Sequence, residues 1–348
     1  MLGVDISGSS VKIVEIGGTV DAPILKAAVI EPIEAGAVSD GNIERNEVVI
    51  DALRRALAKW PTKTRRAAIA MPASSVIAKR ISLPAMLREE EVATQAESEA
   101  NQYIPFAIDD IALDQAMLGL SASDPDSQDV LLVATRREQM ITRQAICEQA
   151  GLKVSIVDAE HYAIERATHR VLRVKYPQRH ESVTLMIKIG GSSSLMIGMR
   201  GDDELYTRDV SFGARALTEA LAREYNLSLE EAEMKRRKND LPDDSIERVV
   251  DPFRTKLCAD LVRTVATQQK ATSFPRSDLI LLSGGGSLMM GLVEDLRDSA
   301  ETPCDLLNPF DGMSVERGVR ELLLRSQAPS FVTATGLALR VFSQEHSA

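Results

Sequence analysis

Three short turns in the sequence combine glycine with serine or lysine and could hold an anion. They cover residues 5–12 (DISGSSVK), 188–194 (KIGGSSS) and 283–287 (SGGGS). Glycine lets the backbone come close to a ligand, and consecutive N–H groups form a concave site for anions. Serine adds hydroxyl donors and lysine adds a positive charge, and this combination suits phosphate.

Each turn alone is weak evidence, because a glycine-serine hairpin is usually only a hairpin. The chain has no G-x-G-x-x-G that opens a helix and no G-x-x-x-x-G-K-[ST], which excludes a Rossmann fingerprint and a Walker A loop. The signal lies in the set and its order. Two strand–turn–strand units, one in each half of the chain, are followed by a strand, a triple glycine and a helix.

The elements around these turns alternate between strands and helices. Apolar runs predict strand–turn–strand units at 1–17 and 182–198, and a buried strand before the triple glycine. Capping boxes of Thr135 with Glu138 and of Ser228 with Glu231 predict two helix starts. This alternation predicts an α/β fold in two halves.

Composition excludes several classes of protein. The 348 residues, 44% hydrophobic and 26% charged, are typical of a globular chain of about two domains. A net charge of -10 and 4% aromatic residues disfavour nucleic-acid binding. The three scattered cysteines follow no metal spacing and are expected to be reduced, packed thiols. No apolar run reaches the about 18 residues of a spanning helix, so a cytoplasmic protein is expected, meeting a membrane only through a partner.

The set and order of the turns resemble the actin-like ATPase superfamily, which includes actin, the heat-shock chaperones, sugar kinases and the division protein FtsA. The resemblance implies two lobes around a nucleotide cleft, with the first two turns as phosphate loops and the third at the adenosine. It also implies two connecting helices, the first after residue 158 and the second at 328–341. Small residues in the second would let two helices pack closely; these are Ala334, Gly336 and Ala338.

Within the superfamily, the sequence is similar to the PilM family of type IV pilus assembly proteins over nearly its whole length. That resemblance implies a cytoplasmic ATP-binding protein that docks on the N-terminal cytoplasmic peptide of PilN, a single-span inner-membrane protein. The segments that carry it are, in chain order, GVDISGSSVKIVE, EANQYIPF, VDAEHYAIERA, YTRDVSFGARALTE, NLSLEEAEMKRRK, LPDD and TATGLALR.

The resemblance further implies roles for single residues. Asp5 matches the aspartate that holds Mg²⁺, usually through water. Asp158 matches the acidic residue that orients attacking water in hydrolysing relatives, although a helix N-cap is an equally good interpretation. Lys235 and Glu233 would flank the adenine or ribose, with a solvated charged face as the alternative. The loop positions are Gly8, Ser9, Ser10 and Lys12, then Gly190, Gly191, Ser192 and Gly213, and for the adenosine Gly284, Gly285 and Gly286.

Lys188 departs from the family pattern, which usually has aspartate at this position. A carboxylate with Mg²⁺ sums to the same net charge as one lysine, since -1 plus +2 equals +1. We therefore expect the Lys188 ammonium near the metal position, where it neutralises phosphates or pairs with Asp5. The alternative is that Lys188 leans out into solvent. The buried arrangements predict weak or absent ATP hydrolysis and make Mg²⁺ a doubtful cofactor.

The partner surface is expected beside an acidic helix. In the family the PilN peptide, apolar with a basic end, lies between the first lobe and an inserted FtsA-like subdomain. Here the segment LREEEVATQAESEANQYIPF supplies carboxylates together with Tyr103, Ile104 and Phe106 as apolar contacts, although a solvated acidic helix is the plain alternative.

The resemblance also divides the chain into parts. Lobe 1 takes 1–31 and 119–180, the inserted subdomain 32–118, lobe 2 181–328 with helices at about 211–276, and the second connecting helix 329–348.

Two other functions stay open beside a nucleotide-binding pilus scaffold with little or no ATPase activity. One is a true ATPase or a sugar kinase; a sugar kinase needs a catalytic aspartate for the sugar hydroxyl, and no such motif is found. The other is an FtsA-like filament protein that binds membrane through a C-terminal amphipathic helix, which the tail LALRVFSQEHSA does not predict.

Overall fold

A computed structural model of the protein describes residues 1–60, 62–121, 124–179, 181–238, 240–272, 276–319 and 321–343. The end of the predicted segment 329–348 lies outside these residues. The strands are β1 Leu2–Ile6, β2 Ser10–Gly18, β3 Pro23–Pro32, β4 Val38–Ser39, β5 Asn42–Ile43, β6 Arg66–Met71, β7 Val76–Pro84, β8 Ile111–Leu120, β9 Ser127–Arg136, β10 Lys153–Ala159, β11 Val183–Ile189, β12 Ser194–Arg200, β13 Asp203–Val210, β14 Leu279–Ser283, β15 Cys304–Leu306 and β16 Ser314–Val315.

The helices lie between these strands. They are α1 Asn46–Ala58, α2 Glu89–Tyr103, α3 Arg137–Gln149, α4 Glu160–Lys175, α5 Arg215–Glu224, α6 Leu229–Lys238, α7 Asp251–Thr272, α8 Leu292–Ala300, α9 Glu321–Gln327, α10 Val332–Ala338 and α11 Arg340–Ser343. Short 3₁₀ or π turns occupy Ala73–Ser75, Ile108–Asp110, Pro177–Arg179, Ile246–Val250, Gly285–Leu288 and Ala328–Phe331. None of the described helices is both long and apolar enough to cross a membrane.

The first sheet has the strand order β10-β6-β1-β2-β3-β16. The hairpin predicted at 1–17 is present as the antiparallel pair of β1 and β2, while β6 and β10 run parallel to β1. Strand β1 is buried at every residue because elements cover both of its faces. Apolar side chains of α1 and α3 pack on one face, and α10 packs on the other.

The second sheet has the order β13-β12-β11-β14-β15 and contains the hairpin predicted at 182–198. Helix α4 covers one face, where Ile164 and Val171 pack with Met186 and Leu281. Helices α7 and α8 cover the other face. Strand β11 is therefore apolar at all but two of its seven residues, Thr184 and Lys188.

A third sheet, β7-β9-β8, spans residues 76–136 and buries one face against α2. It does not coincide with the predicted subdomain 32–118, because β6 lies inside the first sheet and β9 continues to Arg136. A short strand such as β6, which is apolar and buried from Ala67 to Met71, suits a parallel position covered on both faces. Strand β16, placed in lobe 2 by the sequence, pairs with β3 in the first sheet.

Helix α10 packs closely against β1 on one side and against α4 on the other. A Cβ atom added to Gly336 would lie 1.7 Å from the carbonyl oxygen of Ala163, and one added to Gly3 would lie 1.9 Å from that of Ala334. The Arg166 guanidinium also donates to the Gly336 carbonyl at 3.0 Å. The predicted close packing of two helices through small residues is confirmed. The three cysteines are buried free thiols.

Candidate functional site

The first two predicted turns lie in the walls of one cleft. The β1–β2 turn contributes Ser7 and Gly8, and the β11–β12 turn contributes Gly190, Gly191 and Ser192. The cavity between them is about 90 Å³, smaller than the roughly 300–1,000 Å³ of usual ligand pockets. The space therefore matches the phosphate end of a ligand better than a whole nucleotide.

In the first turn, the Lys12 ammonium forms an ion pair with the Asp5 carboxylate. The two residues are opposite one another in the β1–β2 register, and Lys12 Nζ lies 3.0 Å from Asp5 Oδ2 and donates to Ser7 Oγ at 2.8 Å. Burial acts to raise the pKa of Asp5, but the Lys12 and Lys188 ammonium groups outweigh it and hold that pKa below its ordinary value. Asp5 lines the cleft and Lys12 does not, so the predicted contact of Lys12 with phosphate is not what the structure shows.

The turn itself is closed by hydrogen bonds. Ser7 donates to the Ser10 carbonyl through its N–H and through Oγ, at 3.1 and 2.9 Å, and the carbonyl of Ser9 accepts from Ile33 N at 3.1 Å. These hydrogen bonds hold the loop in one conformation, and a preformed loop loses less entropy when it binds a ligand.

The second turn is supported from behind by the start of α5. The Gly190 and Gly191 carbonyls accept hydrogen bonds from Ala214 N and Arg215 N at 2.9 and 2.8 Å. A Cβ on Gly213 would lie 2.2 Å from the Gly191 oxygen, so only glycine allows this approach. These bonds pair N–H groups at the start of α5 that lack partners inside the helix. The structure thus places Gly213 against the second glycine turn.

Lys188 points into the cleft and pairs with Glu160, the first residue of α4. Its side chain is only 17% exposed, which rules out the solvent-directed alternative. Burial acts to lower the pKa of Lys188, but the Glu160 and Asp5 carboxylates outweigh it and raise that pKa. The expected direct pairing with Asp5 is wrong, because Asp5 is paired with Lys12 and Glu160 is the carboxylate within reach of Lys188.

Asp158 is not at the cleft. Strand β10 continues through Ala159, so Asp158 lies inside the strand and its carboxylate faces Arg166 at 3.1 Å and Arg340 at 3.7 Å. The helix N-cap is Ala159, so the capping interpretation is also wrong. The acidic residue that α4 contributes to the cleft is Glu160, two positions later.

A second carboxyl of α4, Glu165, is buried beside Glu204 of β13. Burial and the Glu204 carboxylate, with which it shares a hydrogen bond, raise the pKa of Glu165 to about 9; Arg166 opposes the rise and Asp158 adds to it. At neutral pH the Glu165 side chain is therefore a protonated hydrogen-bond donor.

We expect Glu165→Gln to stabilise the protein at pH 8 and to change it little at pH 5. The folded carboxyl keeps its proton up to about pH 9, whereas the unfolded chain loses it near the ordinary value of 4.5. Because the folded state binds the extra proton in this interval, rising pH removes about 1.4 kcal/mol of stability per unit. Glutamine removes this penalty and keeps a donor for Glu204. Urea unfolding at the two pH values measures the effect.

The exposed Glu97→Gln on α2 is the control, and we expect it to change stability little at either pH. An equal effect of Glu165→Gln at pH 5 and pH 8 would show that Glu165 is ionised in the folded protein.

The third turn does not line this cavity. Gly284 adopts φ 81° and donates to the Pro329 carbonyl at 2.9 Å, and a Cβ there would lie 2.3 Å from Ile189 O. Gly286 is equally close to Ile189, while Gly285 has open space up to Ser330 Oγ at 3.9 Å. The triple glycine thus packs on the end of β11, next to the second phosphate loop.

The two residues proposed beside the adenine, Glu233 and Lys235, contact other side chains of the protein. The Glu233 carboxylate accepts from Arg236 and from Thr218 Oγ1 at 2.8 Å. Lys235 Nζ lies 3.6 Å from Asp240. Neither lines the cavity between the first two glycine turns, and their part in an adenine site stays a prediction.

Sequence reasoning missed Arg143 of α3. Its side chain is buried, lines the cleft, and donates to the carbonyls of Ile6 at 3.4 Å and Gly41 at 2.6 Å. Arg143 lies in the buried stripe of α3 with Ile146 and Cys147. The sequence feature that could have indicated its role is a charged residue within the apolar stripe of a helix. Asp40 and Asp209 line the cleft as well.

The predicted partner residues differ in exposure. Tyr103 is 43% exposed at the end of α2, with Lys79 Nζ 5.0 Å from its ring centroid. Phe106 is partly buried beneath the Arg136 guanidinium at 4.2 Å. Ile104 is buried in the core between α2 and its sheet, so it offers no surface to a partner. The apolar contact predicted for Ile104 is therefore corrected to a core position.

Known proteins share this fold along the whole chain. A PilM–PilN type IV pilus biogenesis complex contains a chain that matches with a TM-score of 0.83 and 27% identity, covering 98% of each chain. EutJ, an ethanolamine utilization protein from Carboxydothermus hydrogenoformans, matches at 0.56 and 16% identity over 97% of this chain and 88% of that one. MreB5 of Spiroplasma citri bound to ADP matches at 0.51 and 12% identity over 100% and 98%. The last two likenesses show an actin-like fold.

The sequence also matches a family profile described as type IV pilus assembly protein PilM, and the match covers residues 3–342. The paired phosphate-loop hairpins, the close crossing of α4 and α10 and the whole-length structural likeness agree with that match. The chain belongs to the PilM family of type IV pilus assembly proteins.

Proposed function

We propose that the protein is an ATP-binding scaffold of the type IV pilus machinery that holds the N-terminal cytoplasmic peptide of a PilN-like inner-membrane protein. The observation that carries the proposal is the whole-length match to a PilM chain from a PilM–PilN complex. The partner places the protein at the inner face of the inner membrane. The protein's own role is to hold the peptide and a nucleotide in one molecule.

The nucleotide part rests on the cleft. Two glycine-serine loops face each other there, and the partly buried Lys188 and the buried Arg143 are cations that suit a polyphosphate. ATP, when bound, supplies the polyphosphate. Gly8, Gly190 and Gly191 bring backbone close to it, and Gly213 holds the second loop in place.

Hydrolysis is expected to be weak or absent. Glu160 is the carboxylate of the cleft positioned on α4, and it is ion-paired with Lys188. The Lys188 ammonium occupies one oxygen of this carboxylate, so Glu160 is poorly placed to accept a proton from an attacking water. If Glu160 were free of Lys188, the site would favour an active ATPase. Measurements of ATP turnover therefore distinguish a nucleotide-binding scaffold from an active ATPase.

The peptide part rests on α2 and its sheet. Helix α2 carries several carboxylates, and Tyr103 at its end remains exposed. A half-exposed tyrosine next to acidic residues suits an apolar peptide with a basic end.

We expect a labelled synthetic peptide with the N-terminal cytoplasmic sequence of the cognate PilN to bind the full chain, and Tyr103→Ala to weaken that binding by about tenfold. Fluorescence polarisation with and without ATP measures both. Met290→Ala, which removes an exposed apolar side chain of the second lobe, is the control and should bind as the wild type does. Absence of binding to the wild-type chain would refute the peptide part of the proposal.

A further inference from the structure

Both carboxylates deepest in the cleft are already paired with ammonium groups. Asp5 is paired with Lys12 at 3.0 Å, and Glu160 is paired with Lys188. Mg²⁺ requires oxygen ligands in near-octahedral geometry, and its protein ligands are usually one or two carboxylates. An ammonium bound to each carboxylate repels the metal and occupies one of the two carboxylate oxygens. The deep residues of this cleft therefore do not fit Mg²⁺.

Among the deep residues of the cleft, positively charged side chains outnumber carboxylates by one, and the additional cation is Arg143. Arg143 is 4% exposed, and its two hydrogen bonds go to neutral carbonyls of Ile6 and Gly41. Among the described residues no carboxylate pairs with it. Burial lowers the pKa of Arg143, but a guanidinium stays charged at neutral pH. The Glu160 and Asp5 carboxylates act on this guanidinium only from beyond ion-pair distance, so its burial is costly, and an anionic ligand in the cleft offsets part of that cost.

A hydroxyl next to Lys188 also lacks a partner. Ser283 is opposite Lys188 in the β11–β14 register, and in the described structure its buried Oγ makes no hydrogen bond. Opposite residues of neighbouring strands share a face of the sheet. The face that carries Lys188 therefore also carries an unused donor.

The remaining carboxylates lie at the rim. Asp40 and Asp209 are exposed residues that line the cleft. Partial burial, together with nearby Glu160 and Asp40, raises the pKa of Asp209. Exposed charges are screened by water and salt, so they oppose a phosphate less than the buried cations attract it.

We propose that the cleft binds the phosphates of a nucleotide without a divalent metal, and that Lys188 and Arg143 supply the positive charge. Lys188 donates a further hydrogen bond to a phosphate oxygen while it stays paired with Glu160, since an ammonium has three donors, and Arg143 stays in place beside the first loop. This inference rests on the proposed nucleotide binding and names the form of the ligand. The chain takes free ATP or ADP in preference to the magnesium complex.

Isothermal titration calorimetry of the full chain, freed of nucleotide, tests the proposal. ATP is titrated in buffer with excess EDTA and in buffer with MgCl₂ in excess over ATP. The expected affinity in EDTA equals or exceeds the affinity in MgCl₂. An affinity at least about tenfold higher in MgCl₂ would overturn the inference while leaving nucleotide binding intact. No binding in either buffer would overturn the proposed nucleotide site as well.

Lys188→Asp is the informative variant. It should bind ATP in EDTA at least about tenfold more weakly than the wild type, and added MgCl₂ should restore part of the loss. Lys153→Asp makes the same charge change at an exposed position of β10 and should leave both affinities unchanged. If Lys188→Asp binds as the wild type does in both buffers, Lys188 does not serve the phosphates.

Arg143→Met is expected to weaken binding in both buffers by at least about tenfold. Circular dichroism and thermal unfolding first establish that this variant is folded. Since the comparison of buffers uses the wild-type chain, the metal question is decided whether or not the variant folds. Full affinity in a folded Arg143→Met protein would overturn the role of this residue.

Discussion

Gly336→Ala should destabilise the protein by more than about 3 kcal/mol. The new methyl carbon would lie 1.7 Å from the carbonyl oxygen and 2.5 Å from the carbonyl carbon of Ala163. Both are backbone atoms, so no side chain can turn away and α4 must separate from α10. That separation would also strain the Arg166 hydrogen bond to Gly336 O and expose residues buried between α4 and α10. Urea unfolding followed by circular dichroism measures the loss.

The sign of this prediction opposes helix propensity. Alanine in a helix interior is favoured over glycine by about 1 kcal/mol, so an effect of propensity alone would stabilise the variant. Gly285→Ala is the control, because the added atom would meet only Ser330 Oγ at 3.9 Å. A Gly336→Ala protein as stable as the wild type would show that the two helices do not touch at this point.

Lys12→Met should cost about 3–5 kcal/mol, because it leaves the Asp5 carboxylate buried without its main partner. The two side chains are only 8% and 7% exposed. In the wild type the lowered pKa of Asp5 adds stability above its unfolded pKa, and that stability is lost as pH falls. In the variant, burial then raises this pKa, so we expect the deficit to be larger at pH 8 than at pH 5. Urea unfolding at both pH values measures it.

A double variant that removes both charges distinguishes the cost of burying one unpaired charge from the stability that the Asp5–Lys12 ion pair contributes. The double variant Asp5→Asn with Lys12→Met should regain most of the lost stability. Arg173→Met breaks an ion pair of 2.6 Å whose side chains are 59% and 56% exposed, and its cost should be much smaller. Equal losses for Lys12→Met and Arg173→Met would contradict the buried pair.

Local patterns predicted the fold well where neighbouring elements reinforced them. Ser228 and Glu231 form the expected reciprocal capping bonds at 3.1 and 2.9 Å. Thr135 does not cap α3, because it is paired in β9 and its hydroxyl donates to Ser75 O at 2.9 Å. The same four-residue pattern therefore gave a correct and a wrong helix start. Sheet pairing over a long sequence distance decided the second case.

The site was predicted less completely than the fold. Glycine loops were recognisable because turns are local, and the first two glycine turns lie in one cleft. The partner of Lys188 depends on where β10 ends and α4 begins, and an error of two residues gave Asp158 the place of Glu160. Arg143 reaches the first loop from a helix more than a hundred residues later, and no local pattern contains that contact.

Glu160 touches two parts of the molecule at once. While one carboxylate oxygen pairs with Lys188, the other accepts from Ala73 N at 3.3 Å, just before the chain enters β7. An anion that shares Lys188 with Glu160 therefore acts on a carboxylate that also accepts a hydrogen bond from the backbone before β7. If anion binding changes the strength of the Ala73 contact, thermodynamic linkage requires that a change at Ala73 alter the anion affinity by the same factor. One carboxylate thus connects the cleft with the start of the three-stranded sheet.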